Sequence, residues 1–120
     1  MYISIIVLYV ADRDRAIAFY TDTLGWNKTM DVPMGEDGGR WVTLAPPEGK
    51  AQFTLYLDAE EAGGDTNVIL EVDDVEKTAA QLAQRGVNFI EAARREPWGG
   101  WARFEDSEGN VLALHSPPSG

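Results

Sequence analysis

The chain has 120 residues, 44% of them apolar and 25% charged, and its 20 acidic and 10 basic side chains give a net charge of −10 at pH 7. A chain of this length forms one compact domain or two small modules that share a core. The acidic surface argues against binding to nucleic acid phosphates, and the lack of cysteine excludes disulfides and cysteine-ligated zinc. Since the sequence shows no apolar run of about 18 residues and no signal-peptide pattern, we expect a cytoplasmic protein that does not contact a membrane.

The first half of the chain predicts a strand, a helix and three more strands. Apolar side chains occupy both faces of residues 3–10, which indicates a strand that is covered on both sides. Asp12 is a good N-cap for a helix, and Gly25 supplies the left-handed residue that ends it. Further strands are predicted over residues 26–32, 40–45 and 51–57, with a loop at 33–39 whose glycine-rich part, 35–39, forms a lip.

The second half repeats this pattern at an offset of about 60 residues. Asp12 aligns with Asp74, and Trp41 aligns with Trp101. Asp74 is therefore the expected cap of a second helix that runs to about Arg85. Strands are predicted over residues 66–72, 88–93, 101–105 and 111–115, with a loop at 94–100 and a turn at 106–109.

Each half therefore predicts the order βαβββ, an α+β fold in which one helix covers one face of a four-stranded sheet. Two such modules together would form a curved mixed sheet that encloses a cup. The predicted boundaries within the single domain 1–120 are module one at residues 1–58, a linker at 58–65, module two at 66–116 and a tail at 117–120.

The paired modules and two short motifs resemble the vicinal oxygen chelate superfamily, which contains glyoxalases, bleomycin resistance proteins and extradiol dioxygenases. The opening motif consists of Val10, Asp12, Ala16, Phe19, Tyr20, Leu24 and Gly25. The closing motif consists of Asp106, Gly109, Asn110 and Leu114. The resemblance covers most of the chain and implies the paired-module fold, but it does not specify an activity, because one fold carries many functions.

The resemblance also implies where a metal ion would be held. The family's metalloenzymes usually carry His, Glu or Gln at places that match Ile5, Thr54, Asn67 and Ala113. Isoleucine and alanine have no donor atom, and threonine and asparagine are poor ligands without carboxylate or imidazole neighbours. We therefore expect neither a metal ion nor another cofactor.

Two titratable residues are candidates for catalysis. His115, the sole histidine, titrates near neutral pH and could act as a base; the alternative is a half-exposed residue near the end of the last strand. By alternation Glu71 lies on the predicted cup face, either as a base or as the partner of a cationic ligand. The alternative for Glu71 is a residue at the rim that is paired with Arg40 or Arg103.

Aromatic side chains are the candidates for ligand contact, because they bind planar or cationic molecules by stacking and by cation–π interaction. Together with Glu71 and His115, the predicted ligand-binding residues are Tyr9, Trp41, Tyr56, Trp98, Trp101 and Arg103. The alternative role for the tryptophans is packing in the core or at a dimer interface.

The lack of metal ligands and the acidic, aromatic-rich composition favour a metal-independent protein that binds an antibiotic-like small molecule, as the resemblance to bleomycin resistance proteins implies. The alternative is a glyoxalase- or dioxygenase-type enzyme with a non-standard site that uses Glu71 and His115. A third possibility is a structural or regulatory dimer without a ligand. Because small members of the family commonly dimerise, the resemblance also implies a homodimer.

Overall fold

The computed structural model describes residues 1–35 and 39–118. Residues 36–38 of the predicted lip and 119–120 of the predicted tail lie outside the described residues. The chain divides into two compact units, Met1–Ala62 and the segment from Gly63 onward. Each unit contains a four-stranded mixed sheet and follows the order βαβββ, so the predicted α+β fold of paired modules is confirmed. The cup that two such modules would enclose stays a prediction.

The first unit begins with a strand and a short helix and continues with three strands. These elements are β1 (Ile5–Val10), α1 (Arg13–Ala18), β2 (Asn27–Met34), β3 (Gly39–Ala45) and β4 (Gln52–Leu57). The strand order in the sheet is β1-β4-β3-β2, with β1 parallel to β4 and the other pairs antiparallel. The first strand of the unit therefore pairs with its last.

Local chemistry explains where α1 begins and how its far end is anchored. The Asp12 carboxylate accepts a hydrogen bond from the backbone N–H of Arg15 at 3.0 Å, as expected of an N-cap. The helix continues as a π-helical turn, Phe19–Thr23. Within this turn the buried Tyr20 ring packs against Trp26, with 4.8 Å between the ring centres, so the end of the helix is fixed to the core.

The second unit has the same order of elements. These are β5 (Gly64–Glu71), α2 (Val75–Gln84), β6 (Asn88–Glu96), β7 (Gly99–Glu105) and β8 (Asn110–Ser116). The sheet order is β5-β8-β7-β6, with β5 parallel to β8, and the Asp74 carboxylate caps α2 at the backbone N–H of Lys77. In the part of the chain that the structure describes, no helix is long and apolar enough to cross a membrane.

In each unit the helix covers one face of the sheet, and the apolar core lies between them. The buried side chains of the first core include Leu8, Val10, Ala16, Tyr20, Val42, Leu44, Phe53 and Leu55. Those of the second core include Val75, Ala79, Leu82, Ala102, Phe104, Leu112 and Leu114. Since side chains alternate along a strand, their neighbours point to the opposite face. We call this face, opposite the helix, the open face of each sheet.

The expectation that the first strand is covered on both sides is wrong within the described structure. Leu8 and Val10 are 1% and 0% exposed, whereas Ile5, Val7 and Tyr9 on the other face are 45%, 47% and 39% exposed. The physical reason is that α1 packs on one face of the sheet only. Packing within the first unit therefore does not explain why the side chains on the other face of β1 are apolar.

Two predicted loops are shorter than expected, because the strands extend into residues 33–39 and 94–100. In the second case residues 97–98 form a two-residue turn between β6 and β7. Gly99, the first residue of β7 after this turn, takes a φ of 131°, a conformation that favours glycine. A side chain at this position would also collide with the backbone of Ser116.

The registers of the two sheets confirm most of the internal repeat. Val7 lies opposite Thr54 in the first sheet, as Ile69 lies opposite Ala113 in the second. The repeat fails near the start of β5, where the register shifts and Asn67 takes a φ of 59°. The alignment therefore holds for the middle of the parallel strand pairs and not for their beginnings.

Candidate functional site

The open face of the first sheet is apolar and aromatic. Its exposed members are Ile5, Val7, Tyr9, Met30, Val32, Met34 and Tyr56, each between 39% and 55% exposed. They share this face because they alternate with core residues along their strands or lie opposite one another across the sheet. Exposed apolar side chains grouped on one face of a sheet mark an interaction site or a ligand-binding surface.

Three of the predicted aromatic residues lie on this face. Tyr9 and Tyr56 are register partners on β1 and β4, and their rings meet edge to face with 6.0 Å between the centres. Trp41 of β3 is half-buried and lies opposite Val32 of β2. The first unit therefore brings the two tyrosines together and places Trp41 on the same side of the sheet.

A small polar group on this face was missed by the sequence reasoning. The hydroxyl oxygens of Thr29 and Thr43 are 2.6 Å apart, and the Thr29 hydroxyl donates to the side-chain oxygen of Gln52 at 2.6 Å. Alternation along β3 would have placed Thr43 on the same face as Trp41. Thr29 reaches the group because β2 changes register near its start, and no sequence pattern indicates such a bulge.

On the second sheet, three of the other predicted residues lie around His115. The Nδ1 atom of His115 lies 2.6 Å from a carboxylate oxygen of Glu71, and Nε2 lies 3.1 Å from the backbone carbonyl oxygen of Trp98. The Trp98 indole stacks on the His115 ring, with 6.1 Å between the ring centres and an angle of 14°. Trp101, which lies opposite His115 in the sheet, meets Trp98 edge to face at 5.5 Å.

These contacts favour the charged form of His115. The carboxylate of Glu71, followed by the carbonyl of Trp98, raises the pKa of His115 above its usual value. A carboxylate and a carbonyl only accept hydrogen bonds, so both ring nitrogens must donate for both bonds to form. A ring in this state has no nitrogen available to take a proton from a ligand, which argues against a role as general base.

Arg40 and Arg103, which the sequence suggested as partners for Glu71, bind other carboxylates instead. Arg103 is paired with Glu91 at 2.7 Å and also with Asp65. Arg40 is paired with Asp31 at 2.7 Å. The guanidinium groups hold the pKa values of Glu91 and Asp31 below their usual range. A ligand reaches the Arg103 guanidinium only in competition with two carboxylates.

The residues that the sequence resemblance matches to the family's metal ligands do not fit a divalent ion. Ile5 and Ala113 have no donor atom, and the buried Thr54 hydroxyl donates to the Val42 carbonyl at 3.0 Å. Asn67 is exposed in the irregular start of β5. Within the described residues, His, Asp and Glu side chains form no group of three that could hold a metal ion.

A separate depression of about 160 Å³ lies at the N-terminal end of α2. Much of its lining is charged, and this part consists of Asp73, Asp74, Glu76, Arg95 and Glu96. Drug-sized ligands occupy pockets of about 300–1,000 Å³ with mostly apolar walls. We therefore place a candidate ligand surface on the open face of each sheet and not in this depression.

Known proteins of one superfamily resemble this chain in sequence and in fold. Residues 2–114 match the family model of the Glyoxalase/Bleomycin resistance protein/Dioxygenase superfamily. The chain belongs to this superfamily, and the resemblance drawn from the sequence motifs is confirmed. Among curated proteins, YurT of Bacillus subtilis is 30% identical over 126 residues, which cover 95% of this chain and 98% of that protein.

Solved structures show the same fold. A member of the superfamily from Sphaerobacter thermophilus has a TM-score of 0.86 and 29% identity, with 97% of each chain covered. TnmS3, an antibiotic binding protein from Streptomyces sp. CB03234, has a TM-score of 0.82 and 30% identity, with 98% of this chain and 96% of TnmS3 covered. Antibiotic binding thus occurs among the proteins that this chain resembles.

Proposed function

We propose that the protein binds a planar, largely apolar small molecule without the help of a metal ion. The observation that carries the proposal is the exposed apolar and aromatic face of the first sheet. Membership of the superfamily and the similarity to an antibiotic binding protein support it. The lack of donor atoms at Ile5 and Ala113 supports a metal-independent mode of binding.

The side chains of this face set the scale of affinity that we expect. A flat ligand that covers Val7, Tyr9 and Tyr56 removes apolar surface from water, at about 25 cal/mol for each Å². Aromatic contacts add about 0.5–1.5 kcal/mol each. With about 200 Å² covered and two aromatic contacts, the sum comes near the value of about 8 kcal/mol that a micromolar complex requires. Ordering of ligand and side chains reduces this sum, so we expect micromolar or weaker binding.

The second sheet also supplies a stacking surface, which has an ion pair beside the aromatic ring. Trp98 is 48% exposed, and it lies beside the Glu71–His115 pair, which has no net charge when the histidine is protonated. The net charge of −10 disfavours anionic ligands at long range. We therefore expect neutral or cationic planar ligands rather than anionic ones.

Fluorescence titration of the Tyr56→Thr variant tests the proposal. With N-phenyl-1-naphthylamine, an uncharged aromatic probe, we expect saturable binding that is about three- to tenfold weaker in the variant. Tyr2→Thr is the matched control, because Tyr2 is also exposed but has its ring covered by the Lys50 ammonium group. The proposal fails if the probe shows no saturable binding to the wild type, or if the two variants lose affinity equally.

We also propose that the protein is a homodimer. Ile3 and Leu57 are exposed in addition to the apolar residues of the open face. A small domain seldom leaves this much apolar surface in water. A second copy of the chain is the partner that we propose for the part of this surface that the ligand leaves uncovered.

A further inference from the structure

Trp98 occupies an exposed position at a tight turn. It is the second residue of the turn between β6 and β7, and 48% of its surface is exposed. Its indole is stacked on the His115 ring and meets Trp101 edge to face. Since ordering a large side chain costs conformational entropy, such contacts are needed to keep the ring in one orientation.

The hydrogen bonds of His115 determine which charge state of the ring holds Trp98. Nδ1 faces the Glu71 carboxylate at 2.6 Å, and Nε2 faces the Trp98 carbonyl at 3.1 Å. Both partners accept hydrogen bonds, and a neutral imidazole carries a single N–H group. The imidazolium therefore satisfies both partners, whereas the neutral ring leaves one of them without a donor.

The other charged groups on this part of the sheet are engaged with one another. They are Asp65 of β5, Glu91, Arg94 and Glu96 of β6, and Arg103 of β7. Trp101, the neighbour of His115 on β7, has no charge. Glu71 is thus the charged side chain bonded to His115, and it is the main cause of the raised pKa of His115.

The backbone of the turn between β6 and β7 packs closely against β8. A Cβ atom at Gly99 would lie 2.7 Å from Nε2 of His115 and would collide with the carbonyl oxygen of Ser116. Glycine therefore lets the turn lie directly against β8. This close approach brings the Trp98 carbonyl within hydrogen-bonding distance of His115.

We propose that His115 is a positioning residue, whose imidazolium holds the Trp98 indole as a stacking surface and so makes ligand binding at the second sheet depend on pH. The inference rests on the proposed function and gives Glu71 and His115 a role in its regulation. As the pH rises through the pKa of His115, one hydrogen bond is lost, the indole gains other orientations, and binding weakens. Because this pKa is raised, the ordered state extends to higher pH than an isolated histidine allows.

The first sheet provides an internal comparison. Tyr9 and Tyr56 occupy the register positions that Glu71 and His115 occupy in the second sheet. The tyrosine pair contains no imidazole. Binding to the open face of the first sheet is therefore not expected to follow the titration of His115.

The first experiment requires no ligand. His115 is the sole histidine, so its imidazole signals can be followed by NMR, and the Trp98→Phe variant identifies the indole N–H signal of Trp98. We expect both signals to titrate with one midpoint above the ordinary value of about 6.5, and Glu71→Gln to lower this midpoint. In His115→Gln the Trp98 signal should not change with pH over this range. A Trp98 signal that ignores the imidazole titration in the wild type overturns the proposal.

The second experiment measures binding of uncharged N-phenyl-1-naphthylamine across the same pH range, in a Tyr56→Thr background that weakens the first surface. We expect the affinity to fall about threefold or more through the His115 midpoint, and this dependence to vanish on adding His115→Gln or Trp98→Leu. Thermal melting verifies that each variant is folded. An affinity without pH dependence overturns the proposal. If the probe binds none of the proteins, the proposed function fails, and the NMR titration still decides whether His115 holds Trp98.

Discussion

The charge that Glu71 presents to a ligand depends on the proton of His115. With a protonated ring the pair has no net charge, and with a neutral ring it carries one negative charge. Glu71→Gln removes the carboxylate and with it the main cause of the raised pKa of His115. In the variant these two side chains are therefore uncharged once the histidine loses its proton, which happens at a lower pH than in the wild type.

We predict that, at pH values above the histidine midpoint of the variant, Glu71→Gln changes ligand selection only where the pH also exceeds the raised pKa of His115. Between the histidine midpoint of the variant and that of the wild type, both proteins present an uncharged pair, so the ratio of the affinities for ethidium, a planar cation, and for uncharged N-phenyl-1-naphthylamine should be the same. Above the raised pKa the wild type alone is negative, and the ratio should be about two- to fivefold lower in the variant. The ratio cancels any change in the order of Trp98. A ratio that differs equally throughout the range contradicts this prediction.

The turn between β6 and β7 depends on the glycine at position 99 for two reasons, its φ of 131° and its contact with Ser116. Gly86, just after α2, also has a positive φ, but no atom lies within 4 Å of the place of a Cβ. We predict that Gly99→Ala lowers the free energy of unfolding by about 2–4 kcal/mol and Gly86→Ala by about 1 kcal/mol. Urea unfolding measures both values. Equal losses would mean that the turn can move away from β8 at little cost.

The sequence predicted those helix and turn boundaries that are determined by interactions between residues close together in the chain. Asp12 and Asp74 marked both helix starts correctly, because an N-cap acts on the backbone of the next few residues. Gly25 was likewise recognised as a helix end, and it takes a φ of 79°. The length of the turn at residues 97–98 was not predictable, because it depends on the packing of Gly99 against the distant β8.

For the candidate site, the sequence predicted which residues belong to it better than it predicted the contacts between them. Alternation placed Tyr9 and Tyr56 on one face, and the structure brings their rings together. The partner of Glu71 was not predictable, because the register of β5 and β8 joins residues 44 positions apart in the chain. The sequence suggested His115 as a base, but in the structure both of its ring nitrogens face hydrogen-bond acceptors.

For the whole molecule, we predict that the purified protein holds no stoichiometric divalent metal. The four positions that match the family's metal ligands supply two side chains without donors, one buried hydroxyl and one exposed amide. Elemental analysis after purification without chelators measures zinc, nickel, iron and manganese. About one equivalent of any of them per chain would contradict the prediction and favour the enzymatic alternative. Added Zn²⁺ should also leave the melting temperature unchanged.

We predict that the protein sediments as a dimer, with twice the chain mass of 13.2 kDa, at micromolar concentration. The physical reason is the exposed apolar surface of the first unit, which includes Ile3 at 68% exposure. Ile3→Lys would place a charge in this surface and should shift the equilibrium toward the monomer. Sedimentation of the wild type as a monomer at this concentration would contradict the prediction.

The order of strands in the sheets has a consequence for how the protein is made. β4 and β8, the last strands of their units, lie inside the sheets, beside the first strands β1 and β5. During synthesis each first strand has no partner in its own sheet until the fourth has left the ribosome, and joining the ends of so long a segment is slower than forming a hairpin. The apolar β1 is therefore exposed in the nascent chain until residues 52–57 emerge. A chain that stops before Asn110 lacks an inner strand of the second sheet rather than an edge, so we expect proteases and chaperones to recognise a prematurely terminated product.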